Sequence, residues 1–381
     1  MSDSIPPRAE VVVAGGSIGG LCAGLALLSE GYDVHVFERS TQRLSSRGAG
    51  IVVQPDLLEL LELSSAPRLA TTSCSTRQTV SKSVGATQTQ RMAQRFTSWE
   101  AIYSSLLAAF PNQRLHTGVE LSVEQTQAGV IAHAPGTSIE TELFVAADGF
   151  RSPTRAHFAP ETYQRYAGYI AWRGVIDEFD LPEDLVAFFD DRFSFCPTED
   201  GGHALCYLIP GEGGATTPGA RSLNWVWYVN ADEGSELDEL LTDTDGHRRS
   251  ASVPAGSVNE KALSGLRART PRLEKHFARL VDATPTPFIQ AILDIAPPAM
   301  SFGRICLLGD AAFVIRPHTA AATAKAAADA IALARSLRLS GADFERGLSN
   351  WEGQRMAVGR HLVDYGVALG QRAAKPSPRA L

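Results

Sequence analysis

Val11-Val12-Val13-Ala14-Gly15-Gly16-Ser17-Ile18-Gly19-Gly20 decides the architecture of this 381-residue chain. Its first four residues are an unbroken apolar run of the kind buried on both faces of a parallel sheet, and the glycines then turn the chain. Beyond the turn, Ile18, Leu21, Cys22, Leu25 and Leu28 recur at helical spacing until Gly31 stops the run, and Val34-His35-Val36-Phe37-Glu38 reads as a second strand. The three pieces form a β-α-β unit with a right-handed crossover.

Working outward, the pattern predicts a helix from about Ser98 to Phe110, buried strands at Leu143–Ala147 and Ile305–Leu308, and an alanine-rich helix from about Thr319 to Leu339. Between them, residues from about Tyr166 to Asn230 alternate apolar and polar between Gly/Pro turns, which predicts a mostly antiparallel sheet. The stretch Leu69–Gln94 is rich in Thr, Ser and Gln and reads as edge strands or loops.

Composition narrows the function classes. With 35 basic against 42 acidic residues the net charge is −7, so no cationic footprint draws the chain to nucleic acid. Five cysteines, with no C-x-x-C pair and no metal-ligand spacing to a histidine, predict a reducing compartment and no metal site. Residues Met1–Glu10 lack the apolar core of a secretion signal, and no apolar stretch approaches 18 residues. These features predict a cytoplasmic enzyme that does not span a membrane.

A glycine turn between a buried strand and a helix lets backbone N–H groups and the helix's positive end face a pyrophosphate, which is why small residues are needed at Gly15, Ser17 and Gly20, with Ile18 opening the helix. Glu38, about 20 residues on and followed by Arg39, is placed to accept ribose hydroxyls. A plain tight turn with an edge glutamate is the alternative. Only one such fingerprint exists, so enzymes that hold two dinucleotides in separate folded domains, with a redox cysteine pair, do not match.

Two further stretches carry chemistry: Ala147-Asp148-Gly149-Phe150-Arg151-Ser152-Pro153-Thr154-Arg155 and Leu308-Gly309-Asp310-Ala311-Ala312-Phe313-Val314-Ile315-Arg316-Pro317-His318. Behind the glycine turn and in this order, they resemble the three motifs of the flavoprotein aromatic hydroxylases of the para-hydroxybenzoate hydroxylase family. Three other stretches, Gly50–Pro55, Tyr166–Gly174 and Arg316–His318, resemble one subgroup of it.

The resemblance implies an FAD-dependent monooxygenase that consumes NADPH or NADH and O2 and hydroxylates a small phenolic or N-heteroaromatic ring through a flavin hydroperoxide. It implies that Gly309 and Asp310 hold the ribityl chain, that Asp148 lies near the flavin with Arg155 and Ser152 holding its loop, and that Arg47 contacts the cofactor. Pro317 would sit at the mouth of the last long helix, whose N-terminus offsets negative charge on the flavin. The chain departs from the family pattern at Phe313, usually His, at His318–Ala322, usually a Gly-x-Gly turn, at Trp99, often Arg, and at Ala146, usually Gly.

The expected fold class is α/β, α+β overall: a discontinuous Rossmann-like FAD-binding domain (1–70, 95–165 and 286–345), an inserted, mostly antiparallel substrate-binding sheet (71–94 and 166–285), and a C-terminal helix and tail (346–381). Strand alternation puts Tyr166, Ile170 and Trp172 on one face, and Trp225, Trp227 and Val229 on one face of another strand. Trp172, Trp225, Trp227 and His203 are therefore the expected substrate contacts, with plain core as the alternative for the tryptophans. His318, Tyr207 and His203 are able to exchange a proton with a phenol, and His318 beside Pro317 is favoured. Epoxidation or oxidative decarboxylation on a non-phenolic substrate, and an NAD-dependent dehydrogenase, stay open as alternatives, as does a homodimer.

Overall fold

The computed structural model describes residues 5–6, 8–42, 44, 49–82, 87–126, 129–341 and 343–373. The chain opens with β1 (Arg8–Ala14), α1 (Ile18–Ser29) and β2 (Val34–Glu38), β1 and β2 pairing in parallel with Val11 opposite Val34. Next come β3 (Gly50–Val52), α2 (Pro55–Leu63), β4 (Thr72–Val80), β5 (Thr87–Ser98) and α3 (Trp99–Ala109). Ser98 ends the strand and caps the helix, its hydroxyl accepting from Ala101 N. The short β6 (Leu115–Thr117), the hairpin β7 (Ser122–Gln125) and β8 (Val130–Ala134), β9 (Thr137–Ala146) and α4 (Pro153–Phe158) complete the first half.

The second half runs β10 (Tyr163–Asp177), α5 (Glu183–Phe189), β11 (Arg192–Pro197), β12 (His203–Ile209), β13 (Ser222–Asn230) and α6 (Ser235–Leu240). It continues through β14 (Ser252–Val253), α7 (Glu260–Arg269), α8 (Lys275–Ala283), β15 (Phe288–Ala296), β16 (Ser301–Phe302) and β17 (Ile305–Leu307). Two helices, α9 (Ala322–Ser340) and α10 (Phe344–Ala373), close the chain. Among the described residues no helix is long and apolar enough to cross a membrane.

Two sheets carry this mixed α/β fold. The first has the order β16-β17-β9-β1-β2-β6, with the β7–β8 hairpin attached to β9. Its strands β17, β9, β1, β2 and β6 are parallel, and α1 packs against α9. The second sheet has the order β14-β15-β10-β13-β12-β11-β4-β5-β3 and is antiparallel except where β11 meets β4. Two strands inside the range expected for the first domain, β3 and β15, pair here instead. β3 takes this sheet's edge and β15 the place between β14 and β10, pairings that composition alone does not reveal.

The alanine-rich helix also starts later than its periodicity suggests. Pro317–Thr319 form a single 3-10 turn, Ala320 takes the left-handed φ of +51°, and α9 begins only at Ala322. A side chain in that conformation costs about 1–2 kcal/mol, so the turn is imposed by its neighbours.

Candidate active site

In the first sheet the strand order reverses direction about β1: β2 lies on one side of it and β9 on the other. Ligands of open α/β sheets bind at such a switch point, beyond the carboxyl ends of the strands. Three motifs far apart in the chain leave those ends side by side: Gly15–Gly20 from β1, Ala147–Arg155 from β9 and Leu308–Asp310 from β17.

The local geometry packs the glycine turn against neighbouring backbone, where no side chain fits. Gly15 has φ +106°, and a Cβ there would collide with the carbonyl of Ala147; a Cβ at Gly20 would collide with the carbonyl of Gly15. Ser17 occupies the N-cap of α1 without a side-chain bond to the helix, and no acidic residue neutralises its first turn. Ile18 packs into the core beneath. The Glu38 carboxylate is held at the end of β2 by Gly16 N at 2.8 Å and Ser40 N at 2.9 Å. Arg39 stands exposed in an ion pair with Glu120 at 3.7 Å, and Arg47 lies outside the described residues.

Around the other two motifs, Arg155 is the tie. Nearly buried, it donates to the carbonyl oxygens of Asp310 at 3.2 Å, Ala311 at 2.8 Å and Phe150, joining the loop after β9 to the loop after β17. Ser152 Oγ caps α4 by accepting from Arg155 N at 2.9 Å. Asp148 Oδ2 accepts from the Thr154 hydroxyl at 2.9 Å, while its buried Oδ1 has no partner among the described residues. Gly309 takes φ +63°. The Asp310 side chain is open to solvent, yet the protein crowding it pushes its carboxyl upward against the pull of Lys325 and Arg155.

These residues fit FAD. The side-chain-free glycine turn and open helix N-terminus suit the pyrophosphate. The orphaned acceptor of Asp148 and the carboxylate of Asp310 suit a hydroxyl-bearing chain.

The second sheet presents two faces, and its register settles which residues share each. Trp172 lies opposite Trp227, and Gly174 opposite Trp225. All three tryptophans are fully buried with Phe189, Leu237, Leu266, Phe277 and Leu280, in the core shared with the α5–α8 layer, and Trp225 donates to Thr284 Oγ1 at 2.8 Å. The expectation of substrate contacts at Trp172, Trp225 and Trp227 is therefore corrected: they are core. Large aromatics went to the side where helices exclude water.

The opposite parity carries Tyr169 and Arg173 on β10, His203 and Tyr207 on β12, and Asn224 and Tyr228 on β13. His318 comes to this face from the turn before α9. Its ring centroid lies 4.3 Å from Tyr228 and 5.4 Å from His203, and its Nε2 is 2.8 Å from the Tyr169 hydroxyl. Tyr207 stacks on Phe96 at 4.3 Å, and a Cβ at Gly50 would come 2.7 Å from its hydroxyl. Among the described residues, neither the His203 ring nor the hydroxyls of Tyr207 and Tyr228 have a hydrogen-bond partner. Tyr169, Asn224 and Tyr228 are the site residues missed in the sequence; the signal available was their alternation with the tryptophans.

Beside Arg173, burial keeps the imidazoles and phenols of this face uncharged. Burial, with Arg77 adding to it, lowers His203 to about 4; burial, then His203 and Arg316, lower His318 to about 3. Burial also pushes the Tyr169 hydroxyl up to about 12 and those of Tyr207 and Tyr228 higher still. At neutral pH the site holds neutral imidazoles and phenols.

A dinucleotide crevice beside a neutral polar recess is the layout of a flavin-dependent hydroxylase, and comparison with known proteins agrees. Residues 166–294 match the family described as FAD binding domain-like. Over 96% of its length the chain is 37% identical to 2,6-dihydroxypyridine 3-monooxygenase of Paenarthrobacter nicotinovorans, spanning 92% of that protein. The chain belongs to the FAD-dependent aromatic hydroxylases. It is 28% identical to 6-hydroxynicotinate 3-monooxygenase of Pseudomonas fluorescens, over 88% of this chain and 84% of that one. The solved structure of 2,6-dihydroxypyridine-3-hydroxylase from Arthrobacter nicotinovorans superposes with a TM-score of 0.90 at 34% identity, covering 98% of this chain and 96% of the other. The subgroup resembled by Gly50–Pro55, Tyr166–Gly174 and Arg316–His318 is the one that contains this enzyme. The protein is an FAD-dependent monooxygenase acting on aromatic rings; the dehydrogenase and epoxidation alternatives find no support in these likenesses.

Proposed function

We propose that the ring this monooxygenase hydroxylates is a hydroxypyridine, with NADPH or NADH as electron donor. The observation that carries the reading is the row of neutral groups on one sheet face, His203, Tyr207 and Tyr228, that have no hydrogen-bond partner among the described residues, beside His318. A flat ring bearing hydroxyl and ring-nitrogen groups satisfies such donors and acceptors, whereas a purely apolar ring leaves them unpaired.

Gly15, Ser17, Ile18 and Gly20 hold the pyrophosphate, Glu38 the ribose, and Gly309 and Asp310 the ribityl chain, with Asp148 and Arg155 fixing the adjoining loop. Arg39 contributes only at the rim. Bound FAD supplies electron transfer from NAD(P)H and the activation of O2. The chain's own residues orient the ring, exclude water from it and take its hydroxyl proton. Of the three candidates His318, His203 and Tyr207, the proton passes to His203, neither of whose ring nitrogens has a partner among the described residues, whereas His318 already bonds Tyr169. The ring anion left beside His203 restores the proton affinity that burial removes. Tyr207 hydrogen-bonds the ring, and Pro317, with its fixed φ, aims His318.

Division into an FAD-binding domain and a substrate-binding sheet, a cytoplasmic location and a homodimer belong to the same reading. Arg77, stacked 4.1 Å over Phe195 and without a carboxylate partner among the described residues, favours as a second reading a ring that also carries a carboxylate.

The test is the anaerobic bleaching of the flavin band by NADPH or NADH, followed by product analysis under labelled O2. Faster bleaching with 2,6-dihydroxypyridine and one labelled oxygen in the product are expected. Acceleration by plain phenols but by no hydroxypyridine would overturn the substrate class, and preference for 6-hydroxynicotinate would select the carboxylated ring.

A further inference from the structure

The hydrogen bond between Tyr169 and His318 has a direction, and Arg316 sets it. Arg316 Nη1 reaches the Tyr169 hydroxyl oxygen at 3.4 Å, and a guanidinium only donates. The same arginine is anchored by two bonds to the buried Asp294, Nε to Oδ1 at 2.8 Å and Nη2 to Oδ2 at 2.6 Å. From α10, Gly370 closes over the pair: a Cβ there would collide with Arg316 Nη1 and come 2.8 Å from the Tyr169 hydroxyl.

The Tyr169 oxygen therefore accepts from Arg316, and its single proton needs an acceptor. Tyr169 is 4% exposed, and among the described residues the one acceptor offered is His318 Nε2 at 2.8 Å. Were Nε2 protonated, it would donate to the tyrosine oxygen and leave a buried hydroxyl proton unpaired, which costs about 1–3 kcal/mol in general. The arrangement that satisfies every group leaves Nε2 as an acceptor and puts the proton of the neutral imidazole on Nδ1. His203 and Arg316, the charged or titratable neighbours on either side, oppose a second proton on the ring. Nδ1 has no partner among the described residues, and the half-buried ring borders the recess beside His203 and Tyr228.

We propose that Tyr169, held by Arg316 and Asp294, locks His318 as an Nδ1–H hydrogen-bond donor to an oxygen of the substrate ring, so that His318 binds the oxyanion and does not act as the base. The inference rests on the hydroxypyridine reading. It divides the work between the two imidazoles: His203 forms an N–H bond as the ring O–H bond breaks, and His318 donates to the oxygen that keeps the electron pair. The ligand it selects is a ring whose oxygen is anionic or in the carbonyl tautomer; an O-methyl ether offers that donor a poorer acceptor.

Two readouts test this on the FAD-loaded enzyme. In nitrogen-15 NMR of histidine-labelled protein, His318 is expected to show a protonated Nδ1 and a bare Nε2, and Tyr169→Phe is expected to populate the other tautomer. A protonated Nε2 in the wild type overturns the inference while leaving the function untouched. In binding, read by the flavin absorbance change on titration with 2-hydroxypyridine, His318→Asn keeps an N–H close to the position of Nδ1 and is expected to hold affinity within a few-fold. His318→Gln, which places its amide near Nε2, is expected to weaken it about 10- to 100-fold, the loss of a hydrogen bond to a charged group. The 2-methoxypyridine control is expected to respond to neither variant. Equal affinity of His318→Gln and wild type for 2-hydroxypyridine overturns the donor role. A wild type that binds no hydroxypyridine overturns the substrate reading and the donor role with it, while the tautomer assignment from NMR stands by itself.

Discussion

The two faces of the second sheet are built from the same strands with alternate residues, yet they differ in what they leave unsatisfied. Toward α5–α8, Trp172, Trp225 and Trp227 are sealed among aliphatic and aromatic side chains; the polar Trp225 N–H finds Thr284, and the buried Trp227 Nε1 stays unpaired among the described residues. Toward the turn before α9, His203, Tyr207 and Tyr228 are packed almost as closely but have no hydrogen-bond partners among the described residues. Unpaired polar groups in a tight setting destabilise a fold, so their concentration on one face marks where a ligand supplies the missing bonds. Apolar bulk is the weaker guide to a site for a polar ring.

The contrast can be broken most sharply at Trp225. Trp225→Ala is expected to lower unfolding stability by about 3–5 kcal/mol, measured by denaturant titration with FAD saturating, because it empties a sealed position. If the tryptophan lined an open recess, the loss would be far smaller. Next in size is a pH effect from the opposite face. The His203 and His318 values in the folded protein lie below the ordinary 6.5, so unfolding takes up protons; the stability they confer is complete above about pH 6.5 and is lost as pH falls toward 4 and 3. For His318 alone the loss between pH 7 and pH 5 is about 2 kcal/mol, and His318→Gln is expected to flatten the curve by that amount.

Smaller effects sharpen the comparison. Ala320→Gly relaxes the left-handed residue that delivers His318 to the recess; about 1–2 kcal/mol of strain removed against about 0.5–1 kcal/mol of added chain entropy leaves a net gain of roughly 0.5–1 kcal/mol in thermal unfolding. Tyr207→Phe removes a hydroxyl that bonds nothing among the described residues, so stability is expected to change by less than about 0.5 kcal/mol while kcat/KM for the hydroxypyridine falls. A large stability loss there would show that the recess face is ordinary core.

How much of this was legible depended on whether a feature is local. The β1-α1-β2 unit could be read because strand, turn and helix are contiguous, each with its own periodicity and Gly31 as a stop. The loops at Asp148 and Asp310 could be located, but not the fact that Arg155 joins them through carbonyl oxygens, since those contacts join residues 155 and 156 positions apart in the chain. Strand alternation correctly grouped the tryptophans with one another, and it carries no information on which side faces the recess. That was decided by where α5–α8 pack. The left-handed Ala320 was hidden because alanine is the residue that most favours a helix, so periodicity runs straight through it.

The parallel neighbours β1, β9 and β17 have a consequence for the order of assembly. The last wall of the dinucleotide crevice follows Leu307, so a growing chain has made most of both sheets before that strand can dock. Contacts of such long sequence separation form slowly. Flavin capture is thus expected to come late in biosynthesis: chains ending before Ile305 lack that wall and are expected to hold no flavin however well their glycine turn has formed.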